Sequence, residues 1–120
     1  MADRYLFRGK KRGNKEWIVG DLLTVSEVDI RIAEYHRRQF QVDRLTVGQY
    51  TGIRDKNGRL VFEGDIVRAK GVAGEEVIEP VRYVGYEYQP FDYIGLTDFE
   101  IIGNIHDNPE LIERGNDEQA

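Results

Sequence analysis

Cysteine is missing from this chain of 120 residues, and serine, tryptophan and methionine each occur once. Without cysteine there are no disulfide staples, no thiolate metal ligands and no thiol nucleophile, and the composition fits a reducing compartment. The lone serine, Ser26, lies outside any Gly-x-Ser-x-Gly setting, so a serine nucleophile has no support. No run approaches the roughly 20 apolar residues of a bilayer span. Met1-Ala2-Asp3-Arg4 leads into no apolar segment of the leader type. These absences predict a soluble protein in the cytoplasm. Only His36 and His106 titrate near neutrality. One sits in a basic turn and the other at a strand-to-helix junction, which predicts structural or solvated roles. No catalytic residue and no cofactor is expected, and the chain reads as no enzyme.

What is present is enough for one core. Hydrophobic residues make up 40% of the chain and charged residues 32%. That balance folds rather than stays disordered. The net charge of −5 opposes general affinity for nucleic acid. Its distribution is uneven. Arg4, Arg8, Lys10, Lys11, Arg12 and Lys15 make the start basic, and Asp107, Glu110, Glu113, Asp117 and Glu118 make the end acidic.

Short alternating segments dominate the pattern. Tyr5 and Phe7 share one face of an extended stretch, Trp17 and Val19 share a face of another, and Gly9 to Lys15 between them is rich in turn formers. This predicts a β-hairpin with a basic tip. Val28, Ile30 and Ile32 recur at period two. The strand they predict returns through Phe40 and Val42 across a turn at His36-Arg37-Arg38. Ile53 and Leu60-Phe62 flank Asn57-Gly58, the signature of a two-residue type I′ hairpin turn. Gly64, between Glu63 and Asp65, predicts a tight reversal. Val77 to Tyr88 reads as a long extended stretch with an edge or break at Pro80, and Gln89-Pro90 turns the chain. Phe99 to Ile105 is a last strand with a bulge at Gly103. Asn108, Pro109 and Gly115 then bound a short helix.

Two blocks carry a family resemblance. Thr46-Val47-Gly48-Gln49-Tyr50-Thr51-Gly52-Ile53-Arg54-Asp55-Lys56-Asn57-Gly58 runs on into Phe62-Glu63-Gly64-Asp65-Ile66-Val67. Ile101-Ile102-Gly103-Asn104-Ile105-His106-Asp107-Asn108-Pro109-Glu110-Leu111 follows later. Together they resemble the YopX-like family of bacteriophage and prophage proteins. The resemblance implies an SH3-like barrel in the C-terminal part, a phage or prophage source and a place in the bacterial cytoplasm. It implies no reaction, because its motif residues shape turns and strands.

The expected organisation is mostly β with minor α. A hairpin region spans residues 1–45, an SH3-like barrel 46–107, a short helix 108–115 and a frayed tail 116–120. Asn57, Gly58, Gly64, Asp65 and Gly103 are expected to be structural turn residues. Glu63 and Asp65 would offer a hard cation two carboxylates, too few without further oxygen ligands, so no metal is expected. Gly71-Val72-Ala73-Gly74 is followed by Glu75 and Glu76, which would repel a phosphate.

Two surfaces remain as candidates. Tyr83, Tyr86, Tyr88, Phe91 and Tyr93 form the densest aromatic cluster. Val84, Tyr86 and Tyr88 are expected on one strand face and Tyr83 with Val81 on the other. Some of these must be core; aromatics on both faces of one strand mean that both faces are covered, or that one carries a patch for a protein partner or self-association. The basic tip, Lys10, Lys11, Arg12 and Lys15 with Trp17, is the alternative, a nucleic-acid contact. The bland reading there turns Trp17 into the core. A phage-derived binding or assembly module is the expected function, and a nucleic-acid accessory protein the alternative.

Overall fold

A computed structural model describes residues 6–34, 38–91, 94 and 98–112. The chain divides into two units, Met1–Tyr50 and Thr51–Ala120, each with its own core. The division falls inside one strand, β5. The architecture is mostly β, built of antiparallel sheets, with a helical turn at residues 110–112.

In the first unit, β1 (Phe7–Lys10), β2 (Trp17–Thr24), β3 (Ile30–Glu34) and β4 (Arg38–Gln41) form successive antiparallel neighbours. The start of β5 (Gly48–Arg54) lies on the other side of β1, with Phe7 opposite Gln49 and Arg8 opposite Gly48. Register decides which side chains go inside. Gly9 faces Ile18, and Leu22, Ile32 and Phe40 stand in one cross-strand row. Ile18, Ile30, Ile32 and Val42 are the buried residues of this core, with Phe7, Leu22, Phe40 and Val47 packed around them. Trp17 and Val19 therefore project from the opposite side of β2, against the bland reading that turned Trp17 into this core. Because side chains alternate with period two, burying Ile18 leaves its two neighbours out. A methyl group at Gly20 would collide with the Ala33 carbonyl, so only glycine permits this approach of β2 to β3.

Val28 was expected in a strand and instead lies in the β2–β3 turn, 80% exposed. Ser26 explains the difference. Its Oγ accepts hydrogen bonds from the backbone N–H groups of Val28 and Asp29, offering the backbone a turn in place of a ladder. The turn foreseen at His36-Arg37-Arg38 has only Arg38 among the described residues, as the first residue of β4. After β4 the chain bridges back at Val42 to Lys11, and a 3-10 turn at Arg44–Thr46 is capped by the Asp43 carboxylate.

In the second unit, β6 (Leu60–Phe62) returns along β5, while β7 (Asp65–Lys70) lies between β8 (Glu76–Pro80) and β11 (Glu100–Asn104). β9 (Arg82–Val84) and β10 (Glu87–Gln89) make a separate two-stranded hairpin. Val61, Val67, Ala69, Val81, Ile94, Phe99 and Ile101 are buried together. β8 is an edge strand, and Pro80 ends it, having no N–H to give a ladder. The β7–β11 register slips between Ile101 and Gly103.

The Asn57-Gly58 turn is not type I′. Gly58 has φ 81°, but Asn57 is not among the residues with positive φ, and the Gly58 N–H donates to the Asp55 carbonyl. This is a type I turn followed by a left-handed glycine. Asp55 selects it, since Oδ1 accepts from the N–H groups of both Asn57 and Arg59. The double positive φ of a type I′ turn occurs at Gly85 (60°) and Tyr86 (71°), joining β9 to β10. The break expected at Pro80 is present, and the extended run expected from Val81 to Tyr88 is divided by this turn into β9 and the start of β10. At the chain's end the Asn108 carbonyl accepts from the Leu111 N–H, while the Asn108 side chain turns back to the Asn104 N–H.

Candidate functional site

The β9–β10 hairpin carries the aromatic candidates. Tyr83 stands directly opposite Tyr88, and their rings meet edge to face with centroids 4.9 Å apart. They share a face, so the expected separation of Tyr83 from Tyr88 is incorrect: the turn at Gly85-Tyr86 resets the alternation between the two strands. Tyr88 is half-buried against the core, where burial, Glu63 and Tyr83 push its hydroxyl pKa upward. Phe91 joins the same core, 5.1 Å from the Phe99 ring. Tyr93 lies outside the described residues. The cluster therefore splits. Tyr88 and Phe91 point inward, while Tyr83, Val84 and Tyr86 remain 52%, 53% and 91% exposed.

Tyr86 is the unusual member. Its backbone sits at φ 71°. A bulky side chain there meets a steric penalty between Cβ and the backbone that glycine or asparagine would avoid. With 91% of its surface open, packing against the described residues offsets little of that cost.

The basic candidates lie in the first unit, around the β1–β2 tip. Lys10 stands opposite Trp17 in the ladder. The Arg8 guanidinium sits 4.7 Å and the Lys10 ammonium 5.5 Å from the Trp17 ring centroid. Cations thus cover this indole, drawn by the negative face of its ring. Lys11 projects over a different aromatic, with its Nζ 3.9 Å from the Phe40 centroid. Arg12 and Lys15 are exposed, and the Arg12 N–H donates to the Gln41 carbonyl, holding the tip against the end of β4. Lys11, Arg12, Gly13, Asn14, Phe40 and Gln41 line an open, shallow cleft of about 420 Å³. Phe40 was expected only as a strand residue. Nothing in the linear pattern signals that it floors a basic cleft, because the contacts that bring the tip to the end of β4, the Lys11–Val42 bridge and the Arg12–Gln41 hydrogen bond, join residues far apart in the chain.

The remaining candidates have local partners. The Asp65 carboxylate, 2% exposed, accepts from the Phe62 N–H at 2.8 Å and so spans the reversal at Gly64. Among the described residues no three His, Asp or Glu side chains converge to hold a metal ion. In the Gly71–Gly74 loop the Ala73 N–H donates to the Glu75 carboxylate, so the chain's own acid occupies an amide that a phosphate would need. The His106 N–H donates to Asn104 Oδ1, and His36 lies outside the described residues. A second cleft, of about 220 Å³, is bordered by Lys56, Arg68, Lys70, Glu76 and Glu100. Glu100 bridges Arg68 and lies 4.0 Å from Lys56. Among the described residues no helix is long and apolar enough to cross a membrane.

Sequence reasoning missed Asp55. It is 6% exposed, and Oδ1 binds its own turn while Oδ2 accepts from the Ile101 N–H at 3.0 Å. Burial alone would raise its pKa. The N–H groups of Ile101, Arg59 and Asn57, with the Arg59 charge, outweigh burial and hold it below the ordinary carboxylate value.

Comparison with known proteins supports the fold seen here. No curated protein matches the chain. The crystal structure of protein EF1440 from Enterococcus faecalis is similar, with a TM-score of 0.55 and 23% identity over 88% of this chain and 96% of that one. At that identity the likeness is one of fold. The family model described as YopX protein matches residues 6–113, so this chain belongs to the YopX family.

Proposed function

We propose that this protein is a non-enzymatic binding or assembly module that acts by protein–protein contact through the β9–β10 hairpin. Tyr86 carries the reading. Its aromatic side chain is held in a left-handed turn and left almost wholly in water. Such a side chain gains little against the described residues, whereas a partner surface would bury it. Tyr83 and Val84, exposed on opposite faces of the adjoining strand, add apolar surface beside it, and Tyr is well suited to interface cores. The finer parts of this reading are an SH3-like barrel for the second unit, a phage or prophage source and a place in the bacterial cytoplasm. Family membership is the support for these, and the short antiparallel strands of the second unit bear on the barrel alone.

The test is affinity capture from bacterial lysate with and without nuclease, beside measurement of the protein's own mass in solution. A stoichiometric protein partner, or a self-associated species, that survives nuclease and is lost in the Y83S/Y86S variant is the expected result. Capture of nucleic acid alone by a monomeric protein defeats the reading.

A further inference from the structure

We propose that the cleft at the β1–β2 tip binds single-stranded nucleic acid, with a base stacking on Phe40 and phosphates held by Lys11 and Arg12, which line it, and by the exposed Lys15 of the same tip. This site lies in the first unit and is independent of the hairpin contact. Single-strand binding without sequence readout needs three things: cations that follow the backbone, an aromatic surface for a base, and a concavity that brings them together. The cleft has all three. It is open to solvent along its length, with a volume of about 420 Å³. Phe40 is half-buried and packed against the core on its inner side, which fixes the ring as a platform. Lys11 already sits over the ring, its Nζ 3.9 Å from the centroid. An ammonium there marks a face that attracts cations, and its flexible stem lets it move to a phosphate when a base takes its place.

Charge points the same way. None of the six residues around the cleft is acidic, and Asn14 and Gln41 add amide side chains able to meet a base edge. The nearest carboxylate along the chain after Gln41 belongs to Asp43, and it accepts from the Leu45 N–H as a cap. Trp17, the stacking residue expected from sequence, does not line the cleft. It serves as a seat for Arg8 and Lys10. The net acidity of the chain lowers affinity for duplex in general, so selectivity for unstacked strands depends on the base contact at Phe40.

Fluorescence anisotropy with labelled oligo-dT and oligo-rU of about 12 nucleotides tests this, a length within the range of known single-strand sites. Binding of either strand supports the proposal, and the preferred one assigns the sugar. With three phosphate contacts, affinity should fall about 20-fold between roughly 50 and 200 mM salt, from a slope of about 0.7 per contact. R12E, at an exposed position, should weaken binding at least about tenfold in low salt, since it reverses a charge beside the backbone. Phe40→Leu should weaken it severalfold while leaving the salt slope unchanged. Amide chemical shifts should move at Lys11 to Asn14 and at Phe40 and Gln41, a readout that does not depend on any variant folding. Absence of binding at about 50 mM salt overturns the proposal. So does equal competition by duplex or by polyglutamate, or shift changes lying away from this cleft.

Discussion

Both oxygens of the Asp55 carboxylate are committed, Oδ1 to Asn57 and Arg59 and Oδ2 to Ile101. One side chain thereby shapes the hairpin turn and pins it to a strand 46 residues later in the chain. Asp55→Asn keeps the size but replaces one acceptor by an NH₂ group. Either the Ile101 N–H or the turn then faces a donor. An unsatisfied buried donor costs about 1–3 kcal/mol, so D55N should lower stability to denaturant by an amount in that range. Urea unfolding followed by circular dichroism measures it; an unchanged midpoint would show that the three bonds add nothing. The sequence displayed Asp55 as the start of a turn and no more, because its distant partner is a backbone N–H.

The β9–β10 hairpin is the element where sequence and structure diverge most. Its turn residues, Gly85 and Tyr86, do not spell the Asn-Gly or Asp-Gly pair that a type I′ turn prefers. Val81 to Tyr88 therefore reads as one strand. Tyr86→Asn places a residue that tolerates left-handed backbone at this position and should stabilise the protein by about 1 kcal/mol, the steric cost that is relieved. The same substitution should weaken the proposed partner contact. Thermal melting and capture measured on one variant check both signs. A variant that melts earlier would show that Tyr86 contributes packing to its own hairpin. By contrast, Gly58 and Pro80 were legible because each removes or supplies a backbone option by itself.

At the scale of the molecule, several carboxylates contribute to pH dependence. Asp55 is lowered by its backbone N–H partners, Asp29 through its paired hydrogen bonds to Arg31, and Glu100 mainly through its hydrogen bond to Arg68. A carboxylate whose folded pKa is depressed stabilises the fold above its unfolded value of about 4, and that contribution disappears as pH falls through the folded value. Tyr88 is shifted up by burial. Its contribution is therefore present below about 10, the unfolded value, and is lost as pH rises through the folded one. Melting temperature should hold steady across the neutral range and fall at both extremes, with the acid limb shallower in D55N. A melting temperature that keeps rising below about pH 4 would contradict these shifts.

Composition and local pattern determined the mostly β class, the number of short strands in the first half and the family, because alternation, turn formers and contiguous motif residues act over a few positions. Tertiary structure decided the rest. Burial of Ile18 turned Trp17 outward, the return of the chain at Val42 put Phe40 beneath a basic tip, and a two-residue turn left Tyr86 exposed while setting half-buried Tyr88 opposite Tyr83. Each depends on strand register or on residues far apart in the chain. A register shift of one residue exchanges the faces of a strand, and only the packed core selects between them.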